Sequence, residues 1–257
     1  MEQSGECLTT DLKNNMITII AIFIIHWYLS LFLQTFFLHR YASHQMFKMN
    51  SITEKIFFIL TWFTQGSSFL HPAAYALMHR KHHKHSDTEK DPHSPTSFNS
   101  WINFMYKTAN EYTVFTQKVD KGDYKDKTLP RWELIEKIGD SYISRVSFGV
   151  FYFLLYLYFA PSYWLFLLIP IHILMGPIHG FIVNWFGHKH GYRNFKKLYD
   201  NSKNTLFIDF LMLGELYQNN HHRFPKKSNF AFRWFEFDFG FFVIKILDKL
   251  RIINLIK

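Results

Sequence analysis

Three stretches of the chain contain no Asp, Glu, Lys or Arg: Met16–Leu38 and Ile56–Met78, of 23 residues each, and Val146–Gly187, of 42 residues. An apolar helix of about 20 residues spans a bilayer, so Met16–Leu38 reads as one span. Val146–Gly187 is roughly twice too long for one straight helix. Its Ala160-Pro161-Ser162 reads as a turn, which gives a hairpin of two spans, Val146–Phe159 and Tyr163–Gly187. Ile56–Met78 is less uniform, because it holds Gln65-Gly66-Ser67-Ser68 and His71-Pro72. A mean hydropathy near zero averages over these blocks and hides them.

Charge orients the spans. Of 29 Lys and Arg, one precedes the first box of histidines, fifteen lie in 39–145 and thirteen in 188–257. The positive-inside rule places the two basic segments in the cytoplasm and the N-terminus outside. Glu2, Glu6, Asp11 and Lys13 give Met1–Asn15 no basic n-region, so it is not expected to be a cleavable signal. A hydrophobic content of 48% excludes a disordered chain, and a single cysteine excludes a disulfide framework or a multi-Cys metal site. No basic helix or aromatic RNA motif accompanies the positive charge, so nucleic acid is not an expected partner. The lipid bilayer is, and Ser228–Lys257, mixing aromatics with charges, suits a tail on its surface.

The chain has 15 histidines, and eight fall into four clusters: His39 and His44; His79, His82 and His83; His188, four residues after Asn184; and His221 with His222, preceded by Gln218. Residues at i, i+3 and i+4 share a helix face. His79, His82 and His83 obey that spacing, as do Gln218, His221 and His222. His39 and His44 are five apart and diverge on a regular helix, so they straddle two metals or the helix loosens there. Neutral imidazole is a good ligand for iron, zinc or copper. Eight histidines exceed one tetrahedral zinc and suit two metals with nitrogen coordination. The alternative is a basic, hydrogen-bonded membrane surface. Elsewhere, His26 and His172 read as satisfied interior groups, His71 and His93 as loop residues, His179 as a cavity liner, and His85 and His190 as groups behind the ligands.

One metal site built from all four clusters needs them on one side of the bilayer. A straight helix over Ile56–Met78 would rise about 35 Å and separate His44 from His79. That segment is therefore expected not to cross, leaving three crossings. The expected fold is all-α: an integral membrane helical bundle with a cytoplasmic helical cap carrying the histidine boxes, in one domain over residues 1–257.

From Thr35 to Asp238 the sequence resembles the integral-membrane fatty acid desaturases, in particular the stearoyl-CoA (delta-9 acyl-CoA) branch. The resemblance rests on His39-Arg40 through His44, His79-Arg80-Lys81-His82-His83 with Asp91-Pro92-His93, Asn184 through His188 with Gly191-Tyr192-Arg193, and Gly214-Glu215 through His221-His222. It implies a non-haem di-iron centre that uses O2 and two external electrons to insert a cis double bond into a saturated acyl chain. It implies His39, His44, His79, His82, His83, His188, His221 and His222 as ligands of two iron ions, with Asn184 acting through a water. Gln218 stands where the acyl-CoA branch carries His; it ligates weakly or through water, and it leaves acyl-CoA and acyl-lipid both open as substrates. The electron donor would be a ferredoxin or a small haem protein, and the expected location a bacterial inner membrane with a cytoplasmic site.

Tyr75, Trp185, Phe186 and Tyr217 read as core or interfacial aromatics that could line a tunnel. Arg40, Arg80, Lys81 and Arg193 read singly as solvated or headgroup-facing cations that could meet a substrate phosphate. Two other readings share the histidines: a di-iron hydroxylase or ketolase acting on alkyl chains or carotenoids, and a His-rich metal-binding or transport protein. A transporter places its ligands inside the spans at the midplane, whereas these clusters sit at span ends.

Overall fold

A computed structural model describes residues 2–256, with side chains from residue 15 onward. Helix α1 (Glu2–Leu33) runs directly into π-helical backbone over Gln34–Ser43, and the stretch Asn15–Ser43 is long and apolar enough to cross a membrane. So is α6 (Tyr142–Phe159). The second arm of the expected hairpin, Tyr163–Gly187, is not one straight helix. A 3-10 segment (Tyr163–Leu168) leads into α7 (Ile169–Ile173), and α8 (Met175–Lys189) departs at 73°. Pro177 explains the break: it has no N–H to give Ile173, and its ring crowds that carbonyl. Leu174 takes up the bend at φ −109°, ψ 18°.

Ile56–Met78 forms two helices, not one. Helix α2 (Ser51–Gln65) begins at Asn50, whose side chain accepts from the Thr53 N–H at 2.8 Å. It ends at Gly66, where φ is +52°, a conformation that costs glycine little and other residues more. Gln65 folds over the turn and accepts from the Leu70 N–H at 2.9 Å. Pro72 then opens α3 (Pro72–His85), a position where its missing N–H is no loss. The chain thus returns toward the side it left. His44, before α2, and His79, within α3, stand 2.8 Å apart. The segment makes no continuous spanning helix, as the one-sided arrangement of the clusters requires.

Helix α4 (Trp101–Asp120) packs along α3, and α5 (Glu133–Asp140) rests on α2 and α6. Short α9 (Gln218–Arg223) and α10 (Phe239–Lys249) close the cap. The one sheet among the described residues pairs β1 (Phe47–Lys48) with β2 (Asn254–Leu255), so the architecture is all-α. Phe36, Phe37, Phe58, Phe230 and Ile244 form a shared core that ties the π-helical stretch to α2 and α10. Helix α10 exposes Phe239, Phe242, Ile246 and Leu250, spaced three and four apart along one side. Such a stripe suits a helix lying on the membrane surface.

Candidate metal centre

The first pair of histidines is where the backbone departs furthest from a regular helix. The His44 N–H bonds the His39 carbonyl at 3.2 Å, an i+5 bond. This widened turn brings residues five apart onto one face. The two rings lie 5.1 Å apart. The helix loosens, and the pair serves one group rather than straddling two.

That group is His39, His44, His79, His83 and His221. Nε2–Nε2 separations are 3.0 Å for His39–His221, 2.8 Å for His44–His79, 2.9 Å for His79–His83 and 2.9 Å for His83–His221. A second group joins His82, His188 and His222, with the His82 and His222 Nε2 atoms 3.3 Å apart. Neighbours in sequence therefore part company: His82 and His83 serve different groups, as do His221 and His222. Adjacent helical residues diverge by about 100°, and the chain uses that divergence to reach two centres from one turn. The two groups adjoin, since the His83 and His222 rings are 4.5 Å apart.

The donor set fits metal ions. Two nitrogens at right angles on a metal with bonds of about 2.1 Å stand about 3.0 Å apart, close to the observed spacings. Burial, then repulsion among the imidazoles, pushes His44, His79, His83 and His221 well below their ordinary pKa, so their lone pairs are free for a cation. The buried His188 Nε2 has no hydrogen-bond partner.

Behind the imidazoles stands a set of carboxylates. Nδ1 of His39 meets Glu215 at 2.6 Å, His82 meets Asp91 at 2.9 Å, His188 meets Asp87 at 2.8 Å, and His222 meets Asp200 at 2.8 Å. Each pairing fixes the proton on Nδ1 and turns the Nε2 lone pair inward. Burial alone would raise Asp91, but His82 and the His93 N–H hold it at about 2. Asp87 and Asp200 are likewise held well below the usual carboxylate range, by His188 and by His222 respectively, against the effect of burial. Asp91→Asn is expected to weaken metal binding by roughly 10–100-fold while the helices persist; metal titration of the purified variant checks this.

A cavity of about 280 Å³ opens beside the five-imidazole group. His39, His79, Asn184, Glu215 and Gln218 form its wall at one end, and Met78, Phe104 and Phe181 line it. Asn184 bonds the Gly180 carbonyl at 2.8 Å, and Gln218 donates its amide to the Glu215 carbonyl at 2.6 Å. Tyr75 also lines the cavity and stacks on His79 at 6.0 Å, whereas Tyr217 is core. His179 lines the cavity as expected. His26 and His172 pair with each other at 2.6 Å, and His71 caps α3. His93, read as a loop residue, is buried against His82 at 4.5 Å between ring centres.

Two features lay beyond sequence reasoning. Asp87 and Asp200 carry no spacing signal; only the nearness of Asp87 to the second box hinted at it. Arg40 is corrected: it is fully buried, bonded to Asp238 at 2.8 Å, near Glu215 at 3.6 Å, and set over the Phe230 ring. It therefore holds the cap together and meets neither solvent nor a headgroup. Arg80 is likewise engaged with Asp126 and with the Ala42 and Ser43 carbonyls.

Comparison with known proteins agrees with this geometry. The fatty acid desaturase family model matches residues 14–238. Similar proteins include a hex-5-enoyl-[acyl-carrier protein] acetylenase of Moorena producens, 28% identical over 88% of this chain and 73% of its own. An sn-1 stearoyl-lipid 9-desaturase of Synechocystis is 28% identical over 85% of this chain and 65% of its own. An acyl-CoA C20 Delta5-desaturase of Anemone leveillei is 27% identical over 85% and 67%. With two adjoining imidazole groups, the first of them lining a cavity, and a family match running through all four histidine clusters, the chain belongs to the fatty acid desaturase family.

Proposed function

We propose that the chain is an O2-dependent di-iron desaturase that introduces a cis double bond into a saturated acyl chain carried on CoA or on a lipid. The observation that carries this is the convergence of eight imidazoles into two adjoining groups, with His39 and His79 of the first group lining a mostly apolar cavity. His39, His44, His79, His83 and His221 would hold one iron. His82, His188 and His222 would hold the other, with Asn184 and Gln218 facing the same cavity and available to complete it directly or through water. The bound irons would supply the oxidising power that unactivated C–H bonds demand and that amino-acid side chains lack.

The chain's own residues do the rest. Glu215, Asp91, Asp87 and Asp200 orient the imidazoles. Met78, Phe104 and Phe181 give the acyl chain apolar walls, fix which methylenes lie nearest the histidines and keep water out. Electrons would come from a ferredoxin or a small haem protein docking on the basic cytoplasmic cap, and the enzyme would reside in a bacterial inner membrane.

Expression in a host that lacks unsaturated fatty acids, followed by fatty-acid profiling, tests the reading. A new cis-monoenoic acid is the expected product. A hydroxylated or keto product in its place would move the chain to the oxygen-inserting branch, and unchanged lipids with metal uptake into vesicles would favour a metal carrier.

A further inference from the structure

A second cavity shares part of its wall with the first. It measures about 570 Å³ and is lined by Val146, Gly149, Val150 and Phe153 of α6 and by Ile173, Leu174 and Pro177 at the α7–α8 bend. Ser68, Arg145 and Pro177 line both cavities, so the two meet at that wall. The outer cavity faces the surroundings of the bundle: Val146, Val150, Phe153 and Leu174 are each between 41% and 51% exposed. Val146, Val150 and Phe153 lie in a helix able to cross the bilayer, and Leu174 sits at the break of the bent apolar pair beside it, so the groove opens to hydrocarbon rather than to water.

Apart from the exposed Tyr142 hydroxyl, the polar side chains in its wall are already paired. Ser67 donates to the Arg145 carbonyl and Ser68 to the Gln65 carbonyl. The Arg145 guanidinium donates to the Ser67 and Phe69 carbonyls and to Asp140, at 2.9–3.0 Å. These contacts leave the groove poorly suited to a CoA phosphate and well suited to a hydrocarbon chain. Arg145 sits in the first turn of α6, at the cytoplasmic end of the span, and the groove runs from there over Val146–Phe153, about 10 Å along the helix.

Resting on the desaturase reading, we propose that this groove is a lateral portal, through which an acyl chain still esterified to a membrane glycerolipid passes between α6 and the α7–α8 bend to reach the histidines. The headgroup stays in the interface beside Tyr142, and only the chain enters.

Gly149 makes the proposal testable. A Cβ there would meet nothing closer than 3.9 Å, so Gly149→Phe fills the groove without forcing the backbone. The probe is phosphatidylcholine carrying a diazirine in the middle of a saturated acyl chain, in nanodiscs, with labelled residues mapped by mass spectrometry. Annular lipid cannot reach Phe104 or Met78, which are 1% and 5% exposed. The expected result is light-dependent labelling of these two residues in the wild type. In Gly149→Phe, and in Val150→Trp as a second block, that label should be lost, while label on lipid-facing Leu157 persists. Cavity labelling that survives both substitutions overturns the portal. So does a wild-type cavity labelled by a diazirine acyl-CoA but never by the phospholipid. The readout needs no turnover, so a failed portal stays distinct from a failed desaturase reading, which the fatty-acid profile reports.

Discussion

Chains carrying His83→Ala are expected to lose desaturation altogether and to purify with about one iron in place of two. The geometry makes His83 hard to replace. Its Nε2 stands 2.9 Å from those of both His79 and His221, so it links α3 to α9 within the five-imidazole group. Its ring also lies 4.5 Å from that of His222 in the neighbouring group. Removing it opens one centre on the side facing the other and leaves the three-imidazole position intact. His82→Ala should do the converse, and it also leaves buried Asp91 without its principal partner. Asp91 would keep only the Asp87 and His93 N–H groups, and a buried carboxylate that loses its charged partner is costly, so the His82 variant should lose stability as well as activity. His190→Ala is the control: His190 is exposed and belongs to neither group, and its variant should keep full activity and metal. Iron analysis beside product analysis separates these outcomes. Full activity after either His82→Ala or His83→Ala would remove the site assignment.

How much of this was legible in the sequence follows from what each feature depends on. The four clusters were legible because ligand spacing along a helix is a local property: His79, His82 and His83 share a turn wherever that turn lies. The reversal within Ile56–Met78 was legible only by combining two constraints, the length of a straight helix and the need to gather His44 with His79. The register of His39 and His44 was legible only as two alternatives, because periodicity assumes 3.6 residues per turn and the π-helical stretch over Gln34–Ser43, which realises the loosened one, does not obey it. The bend at Leu174 was hidden for a related reason. Hydropathy registers Ile173–Pro177 as uninterrupted apolar chain, although Pro177 lacks the N–H that a straight helix would need. Asp87 and the buried Arg40 were out of reach because their partners, His188 and Asp238, lie over 100 residues away, and Asp200 because it meets His222 from an irregular loop with no periodicity to read. Sequence distance conceals such pairs, and charge alone reads as solvation.

Stripping the metals should destabilise the protein and make it acid-sensitive, and this is the second large effect. Four carboxylates, Glu215, Asp91, Asp87 and Asp200, surround the two imidazole groups. Two divalent ions would offset their charge, and without the ions the cap keeps these buried carboxylates with less positive charge nearby. An ion that binds only the folded chain stabilises it by about 2.7 kcal/mol when present at a hundred times its dissociation constant, so iron-loaded protein should unfold at a distinctly higher temperature than chelator-treated protein. The pH dependence of the metal-free form has a definite sign. Burial, only partly offset by Asp200, lowers His222 to about 4 from 6.5. A base depressed in the folded state takes up its proton first in the unfolded chain, so its contribution to stability is fully present above pH 6.5 and is lost as pH falls toward 4. His44, His79, His83 and His221 shift the same way and deepen the loss over that window. Thermal unfolding in detergent, with and without iron across that range, measures both effects. Identical unfolding of the two forms, or a metal-free form indifferent to acid, would mean that the imidazoles are held apart by the scaffold alone and that the cap does not depend on a cation.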